Sequence, residues 1–208
     1  NCIVVIPGAN SNLTPQDIIQ FEHEFSNFDL MLLQLESPIE TVITAASLAQ
    51  KNGIKVILNP APAQNFSTEL LENINIITPN RIEAELLTGM KINSESSMKN
   101  TSSFFHEHGV ELVLITLGAE GVFVSYNGFN ELIHAHEVDV VDSTGAGDVL
   151  NGVFAAILNN NFSGLKESAL FASQAATLSV QKVGAQPSIP FLSEIHTFIK
   201  SLPEKNKL

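Results

Sequence analysis

Positive charge is scarce in this sequence: 10 lysines and arginines stand against 22 acids, a net charge of −12 with the histidines neutral. A nucleic-acid groove or an anionic membrane surface needs clustered Lys and Arg, so neither is an expected partner. An acidic chain that handles an anionic ligand must instead use backbone amides, a few placed cations or a bound metal. Cysteine is nearly absent too. Cys2 alone cannot form an internal disulfide, and inside an apolar run it reads as a small core residue in a reducing, cytoplasmic compartment. No apolar run approaches the roughly 18 residues of a spanning helix; the longest candidates, such as Leu30 to Leu35, are strand-sized. Asn1 to Pro7 has neither a basic n-region nor a cleavage pattern, so no secretory signal is expected. No Gly, four residues, Gly, Lys pattern occurs, which excludes a Walker loop. Repeats, low-complexity tracts and linkers are likewise missing, and residues 1–208 read as one domain.

What is present is a globular mixture, 44% apolar and 15% charged. Short β-branched runs alternate with helical stretches, which argues for βαβ units and a mainly parallel sheet, an α/β fold. Strands are expected at Ile3 to Ile6, Leu30 to Leu35, Lys55 to Leu58, Ile74 to Thr78, Leu112 to Leu117 and Val122 to Tyr126. Several are continuous apolar runs, as in strands covered on both faces. Thr14, Pro15, Gln16, Asp17 has the composition of a capped helix start. A helix over about Ile39 to Asn52 should stop at Gly53, and another before Gly109. Ala146 to Leu158, Leu165 to Val183 and Phe191 to Ile199 read as late helices. Asn127, Gly128 suggests a hairpin and therefore an antiparallel margin. Residue 1 is Asn, and an expected strand begins almost at once.

The strongest chemical signal is Asp142, Ser143, Thr144, Gly145, Ala146, Gly147, Asp148. Gly145, Ala146 and Gly147 open a helix whose first amides lack internal partners and carry the positive end of the dipole, where a phosphate would sit. Asp148 places a carboxylate beside them. A motif this short also reads as a tight turn with a capping Asp. Asn80 and Glu83 follow a strand and share a helical face; they read either as a capping box or as a group near metal-bound water, and both can hold at once. Thr116 to Gly121 is a strand end with two glycines that would let the backbone approach a flat ligand, or an ordinary turn. Lys182 to Ser188 says only "loop" by itself.

Taken together, PGAN (7–10), QLESP (34–38), NPAPA (59–63), TPNRIEAELLTG (78–89), ITLGAEGV (115–122), DSTGAGDVLNG (142–152) and VGAQPSIP (183–190) resemble, in this order, the ribokinase-like or PfkB-type carbohydrate kinases. The resemblance implies a three-layer α/β/α fold with a mainly parallel sheet, here without the family's N-terminal segment, which supplies a lid. It implies ATP-dependent phosphorylation of a sugar, D-ribose at its 5-hydroxyl, with Mg2+ accompanying ATP and K+ or a similar monovalent cation as activator. In that scheme Asp148 is the base and touches the sugar, and the amides of Gly145, Ala146, Gly147 and Asp148 form the anion hole. Asn80 and Glu83 organise magnesium and phosphates. Thr116, Gly118, Gly121, Gly147 and Ser173 meet the nucleotide, and Glu36 the sugar. Asp142, Thr144, Ser179, Lys182, Gly184 and Ser188 fall where the monovalent cation binds, largely through carbonyls. Val149 and Leu150 stand where the family commonly has a small residue or Thr and then Phe. Ser173 stands where relatives often carry His or Asn. Weak or absent turnover is expected without the lid, through which full-length relatives form homodimers. A nucleotide-binding remnant without catalysis, or another sugar or nucleoside kinase of the same fold, are the alternatives.

Overall fold

A computed structural model describes residues 6–202. The strand expected at Ile3 to Ile6 and the core position of Cys2 lie outside the described residues, apart from Ile6, which has no regular structure and is exposed. Among the described residues six strands, β1 (Leu30–Leu33), β2 (Lys55–Leu58), β3 (Ile76–Ile77), β4 (Leu112–Thr116), β5 (Val122–Tyr126) and β6 (Phe129–Ile133), form a sheet in chain order. The helices are α1 (Pro15–Gln20), α2 (Ile39–Lys51), α3 (Arg81–Thr88), α4 (Glu95–Glu107), α5 (Ala146–Ile157), α6 (Leu165–Ser179), α7 (Ala185–Ser188) and α8 (Leu192–Ser201). Contacts group the described residues into two compact units, one running up to Ile115 together with Ser125–Asn130, the other Thr116–Val124 together with the residues from Glu131 onward.

In the first unit β1 to β4 pair parallel, with Leu30 opposite Lys55, Ile57 opposite Ile76 and Ile76 opposite Leu112. Parallel neighbours need a crossover, and α2 supplies the one from β1 to β2. Consecutive residues Val56 to Leu58, Ile76 to Ile77 and Leu112 to Ile115 are all buried, so these strands are covered on both faces. β1 is not: Leu32 is 46% exposed. The cap expected at Thr14 is there in full, with its hydroxyl accepting from Asp17 N–H and Asp17 accepting from Thr14 N–H at 2.8 Å. α2 gives way to Gly53 at φ 73.

Two expected strand boundaries move. β3 is two residues rather than five, although its flanks still bond to the neighbouring strands, Asn75 N–H to Val56 O at 3.1 Å, Leu112 N–H to Asn75 O at 3.0 Å and Thr78 N–H to Leu58 O at 2.9 Å. β1 ends at Leu33, after which Leu35 N–H reaches Ala61 O at 2.8 Å.

In the second unit α6 stops at Ser179 rather than Val183. The Val180 carbonyl accepts from Val141 N–H at 2.8 Å and Asp142 N–H at 3.1 Å, which turns it away from the amide four residues on. The segment read as a loop through Ser188 contains a single helical turn, α7. Val149 from α5, Ala175 from α6 and Ile195 from α8 make a small core, flanked by Val153, Phe171, Leu178 and Ile199. The expected hairpin turn is Asn127 at φ 45 and Gly128 at φ 83, the pair of left-handed residues that a two-residue turn between twisted strands requires.

Candidate active site

The first turn of α5 is set by Gly145, whose φ of 80° admits glycine far more readily than other residues. A Cβ there would also meet Ala185 at 3.4 Å. Gly145 is the N-cap, so Ala146, Gly147 and Asp148 hold the first three helical positions, where the dipole is positive and amides lack an acceptor four residues back. One of those amides is nevertheless engaged: Ala146 N–H reaches Ser143 O at 3.3 Å. Of the four amides assigned to the anion, that of Ala146 thus already has an acceptor within the chain. Asp148 is exposed.

Beside this helix start lies a cavity of about 600 Å³, wholly within the second unit. Thr116, Gly118, Gly121, Ala146, Gly147 and Ser173 all line it, so every residue assigned to the nucleotide except Asn80 comes together there. Leu150 lines it as well, while its neighbour Val149 packs in the core, so the two departures from the family pattern serve different surroundings. The two loop glycines also differ. A Cβ on Gly121, at φ 114, would stand 2.0 Å from Ile133 O and 2.7 Å from Ala135 N, whereas one on Gly118 would meet open space. Gly121 is needed for backbone packing against the chain leaving β6, and ligand approach is not required to explain it.

Of the residues the resemblance assigns to a monovalent cation, Thr144 and Gly184 meet at Asp142. Its carboxylate accepts from Thr144 N–H at 2.9 Å and Gly184 N–H at 2.8 Å, tying together segments 42 residues apart in sequence. Hydrogen bonds from the Thr144 side chain and amide, and from Gly184, hold its pKa below the ordinary value. Ser179 and Ser188 turn their hydroxyls onto Ala176 O and Ala185 O, and Lys182 Nζ pairs with Glu194 at 2.8 Å. Both hydroxyls donate locally, which leaves their oxygen lone pairs facing outward, while the Lys182 ammonium is taken up by an acid. The Ser179 carbonyl accepts from Lys182 N–H at 3.1 Å.

In the first unit Asn80 caps α3 as a complete capping box: its side-chain oxygen accepts from Glu83 N–H at 2.9 Å, and Glu83 accepts from Asn80 N–H at 2.8 Å and from its amide nitrogen at 2.7 Å. Glu83 is buried, and that burial pushes its carboxyl up, against the bond from Asn80 N–H. Both carboxylate oxygens of Glu83 thus accept from Asn80. Glu36 is exposed and lines a separate cavity of about 310 Å³ with Asn10, Gln34, Ser37 and Thr41. Among the described residues no group of three or more His, Cys, Asp or Glu side chains is gathered as a metal site.

The sequence as a whole matches the pattern of the pfkB family carbohydrate kinases over residues 1–192. This chain belongs to that family. It is similar to the ribokinase of Haemophilus influenzae, 47% identical over 200 residues that make up 96% of this chain and 65% of that protein. The ribokinase of Staphylococcus aureus is 42% identical over 196 residues, 94% of this chain and 64% of that one. Among solved structures, Arabidopsis thaliana ribokinase complexed with ribose and ATP superposes with a TM-score of 0.83 at 30% identity, over 95% of this chain and 64% of that chain. The pfkB chain described here thus spans about two thirds of the length of the curated relatives it matches.

Sequence reading missed His136, which lines the cavity with Ala135, Glu137 and Val138. No motif contains it. Its only signal was an apolar stretch followed by two alternating histidines, His134 and His136, between β6 and the Asp142 loop.

Proposed function

We propose that this pfkB chain carries out ATP-dependent phosphorylation of a sugar, D-ribose at its 5-hydroxyl, and that residues 1–208 belong to a single ribokinase-like kinase domain. The observation that carries the reading is the cavity lined by Thr116, Gly118, Gly121 and Ser173, bounded by the first turn of α5 on which Asp148 stands. The sequence similarity to ribokinases supports the choice of sugar.

In this reading the nucleotide lies in the cavity with its phosphates towards the helix start, where backbone amides and the dipole favour negative charge. Asp148 takes the proton of the sugar hydroxyl as that oxygen forms its bond to the γ-phosphorus and the bond from that phosphorus to the bridging oxygen breaks. Such transfers depend on in-line positioning and on electrostatic stabilisation of the phosphoryl oxygens more than on covalent help. Magnesium bound with ATP supplies charge neutralisation. Asn80 and Glu83 would orient its water shell, and the Asp142 loop, with carbonyls of Thr144, Lys182 and Gly184, would hold a potassium-sized cation. A cytoplasmic setting goes with this chemistry and its ATP supply.

Calorimetry with MgATP is the first check, and a titration without heat overturns the reading. The second is transfer of labelled γ-phosphate over a panel of D-ribose, fructose and adenosine. Slow transfer to the 5-oxygen of ribose is expected. Label on another acceptor would replace ribose as the substrate.

A further inference from the structure

His136 is part of the cavity, yet none of the family-like stretches accounts for it. Its Nε2 lies 3.2 Å from the side-chain nitrogen of Gln174, 38 residues away on α6. With the Gln174 amide in this orientation its NH2 donates, the imidazole Nε2 accepts, and the proton of the neutral ring sits on Nδ1. Burial holds the His136 pKa below the ordinary value, which favours the neutral ring. Phe198 from α8 meets the ring edge-on, with centroids 6.2 Å apart at 76°.

Gln174 is 1% exposed, and its Oε1 has no partner among the described residues. Burying an amide with one arm unmet costs free energy that the single bond to His136 offsets only in part. The bond therefore has to be read through what it does, which is to fix the orientation and tautomer of a ring facing a cavity. The neighbouring walls are mostly short and apolar, with Val122, Val138, Val140, Ala176 and Val180. Such walls suit a flat heteroaromatic ring, and the Nδ1–H of His136 would then be a donor at its edge.

We propose that His136 reads the nucleobase: its Nδ1–H donates to a ring nitrogen of adenine in this cavity, with Gln174 as the positioning residue. This rests on the nucleotide reading given above. Adenine fits because N1, N3 and N7 all accept hydrogen bonds, whereas a uracil ring nitrogen offers no free lone pair.

The test uses the 208-residue chain, MgATP, and the 1-, 3- and 7-deaza analogues, each of which replaces one ring nitrogen by CH. With the unaltered chain, one analogue should bind about fivefold to tenfold more weakly than ATP, the worth of one hydrogen bond. His136→Phe keeps a ring but loses the donor. It should bind ATP as weakly as the unaltered chain binds that analogue, and should no longer distinguish the two. His136→Asn, which keeps an N–H near the Nδ1 position, should recover most of the affinity, and Gln174→Leu should lose part of the discrimination. If the unaltered chain binds no nucleotide, the kinase reading and this proposal fall together. If it binds MgATP but treats all three analogues like ATP, or if H136F binds and discriminates as before, only this proposal falls. Should H136F fail to fold, the analogue series on the unaltered chain decides alone.

Discussion

Asp148 occupies the third helical position of α5, where the dipole and the neighbouring amides favour a carboxylate. Asp148→Asn keeps the shape and removes the base. In the proposed reaction it should lower turnover by about 10²- to 10⁴-fold, the range of general-base effects, while leaving the MgATP affinity within about twofold. A calorimetric titration beside the transfer assay separates the two quantities, and an unchanged rate would remove Asp148 from the role. Glu83 makes a different kind of prediction, one about stability. Burial raises its pKa above the ordinary 4.5, so the folded state holds this proton to higher pH than the unfolded chain does. The contribution is therefore most favourable in acid and is lost as pH rises through the folded value. Glu83→Gln has no such dependence. Acidification from pH 7 towards 4.5 should raise the melting temperature of the wild type relative to E83Q, whatever offset separates them at neutrality. A difference that stays flat, or that runs the other way, would mean the carboxylate is better solvated than its burial implies.

Among the elements, the loop joining β4 to β5 gives the sharpest contrast, because its two glycines serve different ends. Gly121→Ala must place a Cβ 2.0 Å from Ile133 O at a φ of 114°. That backbone strain and the forced shift together should cost about 3 kcal/mol, or roughly 6–12 °C in melting temperature for a chain of this size. Gly118→Ala, at φ 60 with open space around it, should cost only about 1 kcal/mol. Differential scanning calorimetry of the pair checks both the size and the order of the losses. The sequence showed that glycines were needed here, and it could not show why, since Ile133 and Ala135 approach through a hairpin 12 or more residues further on. The same division runs through the other elements. β2 and β5 match their expected spans residue for residue, because β-branched runs bounded by turn residues are local signals. α6 was read too long because its apolar periodicity continues past Ser179, and what stops it, the use of the Val180 carbonyl by Val141 and Asp142, comes from another part of the chain. His136 stayed invisible for the same reason: a lone histidine acquires meaning only from Gln174, on a helix 38 residues later.

At the scale of the whole molecule the governing quantity is charge. The site motifs were legible because each couples a local backbone demand to a residue type, a capping box at Asn80 or a left-handed glycine at 145, and such demands survive in sequence order. The net charge of −12 poses the opposite problem, since the long-range field repels the very anion the site is proposed to take. The local devices proposed for the second unit, the start of α5 with its dipole and a cavity with largely apolar walls, are short-range. Salt should therefore act mainly on the repulsion. Raising an inert salt from about 20 to about 200 mM shortens the Debye length from roughly 20 to 7 Å, which screens the surface acids while leaving contacts inside the cavity nearly untouched. MgATP affinity should hold steady or rise over that range, the reverse of what a cluster of lysines and arginines would give. Tetramethylammonium chloride is the salt to use, because a potassium-sized cation could also occupy the Asp142 loop. Repeating the titration in potassium chloride then isolates that occupancy: any excess gain over the tetramethylammonium curve should disappear in Asp142→Ala, which removes the acceptor joining Thr144 N–H to Gly184 N–H. An affinity that falls steeply in both salts would contradict a site built from amides and would point to cationic side chains instead.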